Sequence, residues 1–163
     1  MRFLLSSFLI LVFSASVLGQ KKLDKALERW NNKSVPYVYV DDLKLTENIV
    51  LLDTRKKEEF EVSHLKNAIW VGHEEFTEER VTTKILDKNA PIIVYCSIGV
   101  RSEDIGERLQ KAGYTNIKNL YGGIFEWKNH GNAVYSPKQM ETDSVHAFDK
   151  EWGKLLKKGV KVY

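Results

Sequence analysis

Residues 90–96, APIIVYC, constrain the fold most strongly, because they form a short and almost unbroken apolar run. A run of this kind is typical of a strand that is buried on both faces of a sheet. Burial on both faces requires a layer of helices on each side of the sheet. The run therefore predicts a buried strand in a parallel α/β sheet.

Other short apolar runs alternate with helical patterns along the chain. Strands are predicted at residues 37–40, 48–53, 67–71 and 116–120, and helices or helical turns at 56–60, 102–113 and 124–131. Strands that alternate with helices form parallel βαβ units. The sequence thus predicts an α/β fold with a central parallel five-stranded sheet and helices on both faces.

The start of the chain differs from the rest. Residues 1–19 carry one early positive charge, then an apolar stretch with interspersed serines, and end in small residues. This pattern predicts a secretory signal peptide that is cleaved after Gly19. A membrane anchor is the weaker alternative, since a membrane span needs about 20 apolar residues. We therefore expect an exported protein, in a bacterial periplasm, with no stable membrane association after cleavage.

The length of the chain suits one domain. Residues 20–34 are expected to form a helical lead-in, because their apolar residues recur at helical spacing. Residues 35–135 hold the whole predicted sheet. Residues 136–163 form a C-terminal extension that is expected to pack back on the domain, with Phe148 and Trp152 on a further helix.

Charge and histidine spacing argue against two classes of protein. The formal net charge is only +3 and no long Lys/Arg run occurs, so nucleic-acid binding is not expected. His73, His130 and His146 lack the spacing of metal ligands, and we expect neither a metal nor a cofactor. His64 is expected to stabilise a turn or the core rather than act as a base. The mature unit is expected to be a monomer.

The chain has one cysteine, Cys96, at the end of the apolar run. Exported proteins usually carry paired cysteines, because oxidising compartments favour disulfides. A lone cysteine therefore indicates a free reactive thiol or a thiol with an intermolecular partner. A buried, inert cysteine is the alternative, and composition alone does not decide between them.

The residues after Cys96, in CSIGVRS, favour a reactive thiol. The thiol follows a buried strand and precedes a helix, so loop N–H groups and the helix N-terminus face it and favour an anion. Arg101 adds a permanent positive charge, and both effects lower the pKa of a thiol. Gly99 permits a tight backbone turn, and Ser102 is expected to be the N-cap of the helix.

Three motifs, in order, resemble the rhodanese-like domain family in its single-domain sulfurtransferase form. LLDTRKKEEFEVSHLKNAI resembles the segment of the family that contains D-x-R and E-F, CSIGVRS resembles its active loop C-x-x-G-x-R-S, and LYGGIFEW resembles its closing G-G-x-x-x-W. The resemblance covers roughly residues 33–133. It implies a rhodanese domain at 35–135.

The resemblance implies a sulfurtransferase in which Cys96 is the nucleophile and becomes a persulfide. The loop that binds substrate and persulfide would consist of Ser97, Ile98, Gly99, Val100, Arg101 and Ser102. In a supporting role, Asp53 would brace this loop and Arg55 would pair with Glu59. The partners implied are a small-molecule donor such as thiosulfate, or a protein-bound sulfur donor, and a thiol or cyanide as acceptor. No metal or cofactor is implied.

Two other functions stay open. Related phosphatases and arsenate reductases have one residue more between the cysteine and the arginine, which favours a sulfurtransferase here. A non-catalytic rhodanese-like module could instead bind a partner protein or carry sulfur. Ile98 and Val100 are apolar, so thiol-bound or protein-bound sulfur is expected to suit the loop at least as well as thiosulfate. His146 and Trp152 could cover the mouth of the site or simply pack.

Overall fold

The computed structural model describes residues 21–44 and 48–163. The predicted signal peptide lies outside the described residues and stays a prediction. The domain boundaries at 35 and 135 also stay predictions. Among the helices in the described part of the chain, none has the length and apolar character needed to cross a membrane.

A five-stranded sheet forms the centre of the molecule, and all of its paired strands are parallel. Its strands are β1 (Tyr37–Val38), β2 (Val50–Asp53), β3 (Ile69–Trp70), β4 (Ile92–Tyr95) and β5 (Ile117–Leu120), in the spatial order β1-β5-β4-β2-β3. The predicted parallel five-stranded sheet is confirmed. β4, which comes from the apolar run at residues 90–96, lies in the middle of the sheet.

Helices cover both faces of this sheet. They are α1 (residues 21–30), α2 (Val40–Lys44), α3 (Lys57–Val62), α4 (Glu79–Thr82), α5 (Arg101–Lys111) and α6 (Gly123–Asn129). The predicted strand at 37–40 is shorter than expected, because the chain turns into α2 at Val40. The other four strands and the helix after Cys96 lie within one to three residues of their predicted bounds.

Alternate residues of β4 supply two separate cores. Ile92 and Val94 join a cluster that includes Ile105 and Leu109 of α5. Ile93 and Tyr95 join a second cluster on the opposite face, which includes residues of α1 and α6. All four residues of β4 are buried, as a strand between two helical layers requires.

The C-terminal extension joins the second core. The strands β6 (Val134–Tyr135) and β7 (Glu141–Thr142) form an antiparallel hairpin, and β8 (Ser144–His146) pairs in parallel with β9 (Val160–Val162). The predicted helix here is only a 3₁₀ turn, Trp152–Leu155. Val145, Ala147 and Leu156 are fully buried in the core that α1 and α6 share.

Candidate active site

Cys96 lies at the carboxyl end of β4, where the chain enters the loop before α5. Its thiol is free and the residue is 1% exposed. The backbone of the loop is fixed from the side of α6, since the N–H groups of Ile124 and Phe125 donate to the carbonyls of Cys96 and Ser97, at 3.0 and 3.1 Å. Open parallel sheets place their sites at this edge.

Gly123 is the first residue of α6, and it explains why a glycine pair stands at the start of this helix. Its φ of +54° lies in the left-handed region, and a Cβ there would collide with the carbonyl oxygen of Cys96 and lie 2.8 Å from the carbonyl carbon of Ser97. The active loop and the start of α6 can therefore approach each other only without a side chain between them. The G-G motif thus shapes the thiol loop.

The surroundings of the thiol favour its anionic form. The N–H of Gly99 donates to Cys96 Sγ at 3.1 Å. Burial raises the pKa of the Cys96 thiol, but the positive charge of Arg101 and the N–H groups of Ser102, Gly99 and Ile98 act against burial, and the net pKa is lowered. The expected loop of backbone donors is present, and it makes Cys96 a buried thiol of enhanced acidity.

Two asparagine side chains clamp the carbonyl of Gly99. Asn119 Nδ2 donates to it at 2.8 Å and Asn31 Nδ2 at 2.9 Å. Gly99 itself has a φ of +108°, which turns its N–H toward the sulfur and its carbonyl toward the two amides. The clamp therefore holds the peptide orientation on which the hydrogen bond to Cys96 depends.

Ser102 has a different role from the one predicted. The helix begins at Arg101 with Val100 in the cap position, and no side chain caps it. The Ser102 hydroxyl instead donates to Asn119 Oδ1 at 2.8 Å, and Ser102 is fully buried. The prediction that Ser102 is the N-cap is wrong, because the helix begins one residue before it. Its hydroxyl orients Asn119 in the clamp on Gly99 instead.

Arg101 is fixed by a carboxylate from another part of the chain. Its Nη1 and Nη2 donate to Glu59 Oε2 and Oε1 at 2.7 and 3.0 Å, and Nη2 also donates to Ser97 Oγ at 3.0 Å. The Ser97 hydroxyl donates in turn to Glu59 at 3.0 Å. Burial raises the pKa of Glu59, but Arg101 acts against burial and the net pKa is lowered, so the carboxylate stays charged.

The roles predicted for Asp53, as a brace of the active loop, and for Arg55, as the partner of Glu59, are wrong. Arg55 pairs with Asp53 rather than with Glu59, at 2.6 Å, and its Nη2 also donates to the carbonyl of Ser63 at 2.6 Å. Both side chains are fully buried. Glu59 braces the active loop in place of Asp53, because α3 presents it to Arg101, while Asp53 and Arg55 hold the turn after β2.

His64 is a packed core residue. It is 1% exposed, its ring stacks on Phe60 with centroids 4.0 Å apart, and its Nδ1 lies 3.2 Å from the carbonyl of Phe60. Burial is the main reason that its pKa is lowered. In the described part of the chain, no group of three or more His, Cys, Asp or Glu side chains is arranged to hold a metal ion.

A cavity of about 160 Å³ opens above Cys96. The residues that line it are Trp30, Cys96, Ser97, Ile98, Val100, Arg101, Phe148 and Trp152. Of the two extension residues suggested to cover the site, Trp152 lines the cavity and His146 does not. Sequence reasoning missed Trp30 and Phe148 as lining residues, and it missed the clamp. The available signal for the clamp was Asn119, an amide within the predicted strand that became β5.

The fold and the site define a parallel α/β domain that presents an acidic thiol in a C-x4-R loop at the carboxyl edge of its sheet. A family model described as the rhodanese-like domain matches residues 36–130, more than half of the chain. The chain belongs to the rhodanese-like domain family.

Relatives place this domain in more than one kind of protein. Thiosulfate sulfurtransferase GlpE of Coxiella burnetii is 28% identical over 98 residues, which are 60% of this chain and 89% of that protein. The tRNA uridine(34) hydroxylase of Leptospira interrogans is 34% identical over 84 residues, 50% of this chain but 23% of that protein. The crystal structure of a rhodanese-related protein from Thermoplasma volcanium has a TM-score of 0.52 and 29% identity, and the match covers 61% of this chain and 96% of that one.

Proposed function

We propose that the protein is an exported sulfurtransferase that moves a sulfane sulfur from a donor to a thiol or cyanide acceptor through a persulfide on Cys96. One observation carries the proposal: the only thiol of the chain is buried, accepts the N–H of Gly99, and has a lowered pKa beside Arg101. The similarity to GlpE over most of that enzyme's length supports it. The protein acts as a monomer, without a metal or cofactor.

The reaction needs no electron source. The Cys96 thiolate attacks the outer sulfur of the donor and forms a sulfur–sulfur bond to it. The bond between this outer sulfur and the rest of the donor breaks, and its electron pair stays with the leaving group, which is sulfite when the donor is thiosulfate. The acceptor then attacks the outer sulfur of the persulfide. The electron pair of the persulfide bond returns to Cys96, which is again a thiolate, and cyanide leaves as thiocyanate.

The backbone donors of the loop suit this chemistry. The N–H groups that lower the pKa of the Cys96 thiol also face a terminal persulfide anion, much as an oxyanion hole faces an oxyanion. Arg101 holds the loop through Ser97 and Glu59 and contributes its charge from there. Gly99 and Asn119 keep the donors oriented.

The test is the intact mass of the mature protein after brief incubation with thiosulfate and, separately, with benzenethiosulfonate. The wild type should gain the mass of one sulfur atom, cyanide should remove it as thiocyanate, and Cys96→Ala should gain nothing. No gain with either donor would overturn the proposal. Release of phosphate from an aryl phosphate, without persulfide, would point to a phosphatase, and neither activity would favour a binding module.

Export is a separate part of the proposal and has its own test. Its support is the charge and hydropathy pattern of residues 1–19. The full chain, expressed in a bacterium with a periplasm, should appear in the periplasmic fraction with Gln20 as its first residue. An uncleaved N-terminus in the cytoplasmic fraction would contradict export and leave the sulfur chemistry untouched.

A further inference from the structure

Three aromatic side chains that line the cavity above Cys96 lie outside the segment that the family model matches, and we call Trp30, Phe148 and Trp152 the aromatic rim. Trp30 comes from α1, while Phe148 and Trp152 come from the C-terminal extension. The family match spans residues 36–130. The thiol loop therefore lies within the family segment, whereas the aromatic part of the cavity lining comes from α1 and the C-terminal extension.

The extension holds its two aromatic residues in fixed positions. Asp149 Oδ1 accepts the N–H groups of Glu151 and Trp152, both at 2.8 Å, which starts the 3₁₀ turn that carries Trp152. The N–H of Phe148 donates to His146 Nδ1 at 3.1 Å. Phe148 has a φ of +66°, a conformation that costs a bulky residue energy and that persists only where the surroundings impose it.

The charge of the cavity does not suit a small dianion. Among the residues that line it, Arg101 is the one cationic side chain. Its guanidinium already binds the Glu59 carboxylate through two hydrogen bonds and lies 5.0 Å from the centroid of the Phe148 ring. The lining thus offers one cation, which is already paired with a carboxylate, and several apolar walls, which favour a donor with little charge and much apolar surface.

The volume matches a small organic group. A cavity of about 150 Å³ is large enough to hold benzene, and the cavity above Cys96 has about 160 Å³. We propose that the donor is a monoanionic organic compound, an aryl persulfide or thiosulfonate in chemical class, whose aromatic group lies between Trp30, Phe148 and Trp152. The inference rests on the proposed sulfur transfer at Cys96, and it assigns these three residues to donor specificity.

Two thiosulfonates of equal charge separate the effect of the organic group on the reaction from the effect of the donor's charge. Benzenethiosulfonate and methanethiosulfonate both carry one negative charge and both leave as sulfinates when Cys96 takes the outer sulfur. The kcat/KM of each, and that of thiosulfate, is measured with cyanide as acceptor by thiocyanate formation. We expect benzenethiosulfonate to exceed methanethiosulfonate by about tenfold or more, the factor expected for an aromatic contact of this kind. Thiosulfate should be the poorest of the three.

The variants Phe148→Gly and Trp152→Ala show whether the rim causes this preference. Phe148→Gly removes the ring and also relieves the positive φ, so folding is preserved. Each variant should lower the preference for benzenethiosulfonate over methanethiosulfonate about three- to tenfold, mainly through KM, because the ring contact is lost in ground and transition state alike. Leu86→Ala, which removes an apolar side chain that is 81% exposed and lies outside the cavity, should leave the preference unchanged.

The outcomes separate the two proposals. An unchanged preference in both rim variants, or a wild type that prefers thiosulfate, would overturn the inference while the sulfurtransferase function stands. A wild type that forms no persulfide with any of the three donors would overturn both. A preference for the aryl donor that falls in the rim variants and persists in Leu86→Ala would establish the rim as the specificity element.

Discussion

Both carboxylate oxygens of Glu59 accept hydrogen bonds from the guanidinium of Arg101, at 2.7 and 3.0 Å. The Glu59 side chain is 1% exposed, so bulk water screens the pair very little. The pair holds the charge of Arg101 beside the loop of Cys96, where it favours the thiolate. Helix α3 therefore helps to set the acidity of Cys96, although this thiol follows β4, a distant part of the chain.

Replacement of Arg101 by Gln should raise the pKa of the Cys96 thiol. The substitution removes the cation that lowers this pKa and leaves the Glu59 carboxylate buried without its partner, and both changes disfavour a thiolate. The measurement is the rate of alkylation by iodoacetamide as a function of pH. The midpoint of the profile should move to higher pH, and alkylation at pH 7 should slow.

The matched control is Arg101→Lys, which keeps the charge and loses the two-pronged geometry. Its alkylation profile should lie between those of the wild type and Arg101→Gln. Identical profiles for all three proteins would show that the backbone N–H groups of Gly99 and Ser102 alone set the acidity of Cys96.

Gly123→Ala should damage the active loop more than the φ angle alone explains. The new Cβ would meet the carbonyl of Cys96, while at Gly113, with a φ of +92°, it would meet nothing within 4 Å. Gly113→Ala should therefore lower the free energy of unfolding only by the cost of a left-handed backbone, about 1–2 kcal/mol. Gly123→Ala should lose a further 1–3 kcal/mol, roughly, from the collision, measured by urea unfolding.

The same pair of variants should differ in sulfur chemistry. Gly113 lies just beyond the end of α5, and a Cβ there meets nothing within 4 Å, so Gly113→Ala should keep the wild-type alkylation profile of Cys96. Gly123→Ala moves the peptides of Cys96 and Ser97, and its rate of persulfide formation should fall. Equal losses of stability in the two variants, with unchanged chemistry, would show that the loop can shift without consequence.

The sheet and the thiol loop could be predicted because their signals are local. The strongest signal is β4, an apolar run whose four residues are all buried, as is typical of a strand covered by helices on both faces. β4 and α5 follow one another directly, so the position of Cys96 between them fixes the loop. Helix bounds moved by only a few residues, since local patterns do not fix the final turn.

The connections of the site could not be predicted because they join distant residues. Asn31 reaches Gly99 across 68 positions, and Glu59 reaches Arg101 across 42. A charged residue in the sequence has many possible partners, and only the packing of α3 against the loop selects Arg101 over Arg55. Phe148 and Trp152 have the four-residue spacing of a helix, but the structure has only a 3₁₀ turn that carries Trp152, with Phe148 before it.

His64 should make the protein less stable in mild acid. Its pKa is lowered in the folded state, so the unfolded chain takes up a proton at higher pH than the folded chain does. The stabilisation is present above the ordinary histidine pKa near 6.5 and is lost as pH falls below it, so the free energy of unfolding should decrease between about pH 7 and pH 5.

The comparison of His64→Gln with His73→Gln isolates this effect. His64→Gln should flatten the pH dependence in that window, even if it lowers stability throughout. His73 is partly exposed and pairs with Asp104, so His73→Gln should keep the decline of the wild type. A decline that is equally steep in all three proteins would assign the acid sensitivity to other groups.

Leu156 should be as important to stability as residues of the central sheet, although it lies in the C-terminal extension. It is fully buried in the core that contains Ile93 and Phe125, so the extension closes one face of the domain. Leu156→Ala should cost about 2–5 kcal/mol of unfolding free energy through lost contacts and a cavity. Leu86→Ala, at an exposed leucine, should change it by less than about 0.5 kcal/mol. A single cooperative transition with a large loss of unfolding free energy in Leu156→Ala would make the extension part of the folding unit. A loss as small as that of Leu86→Ala would mean that the sheet folds without the extension and that Phe148 and Trp152 are free to move.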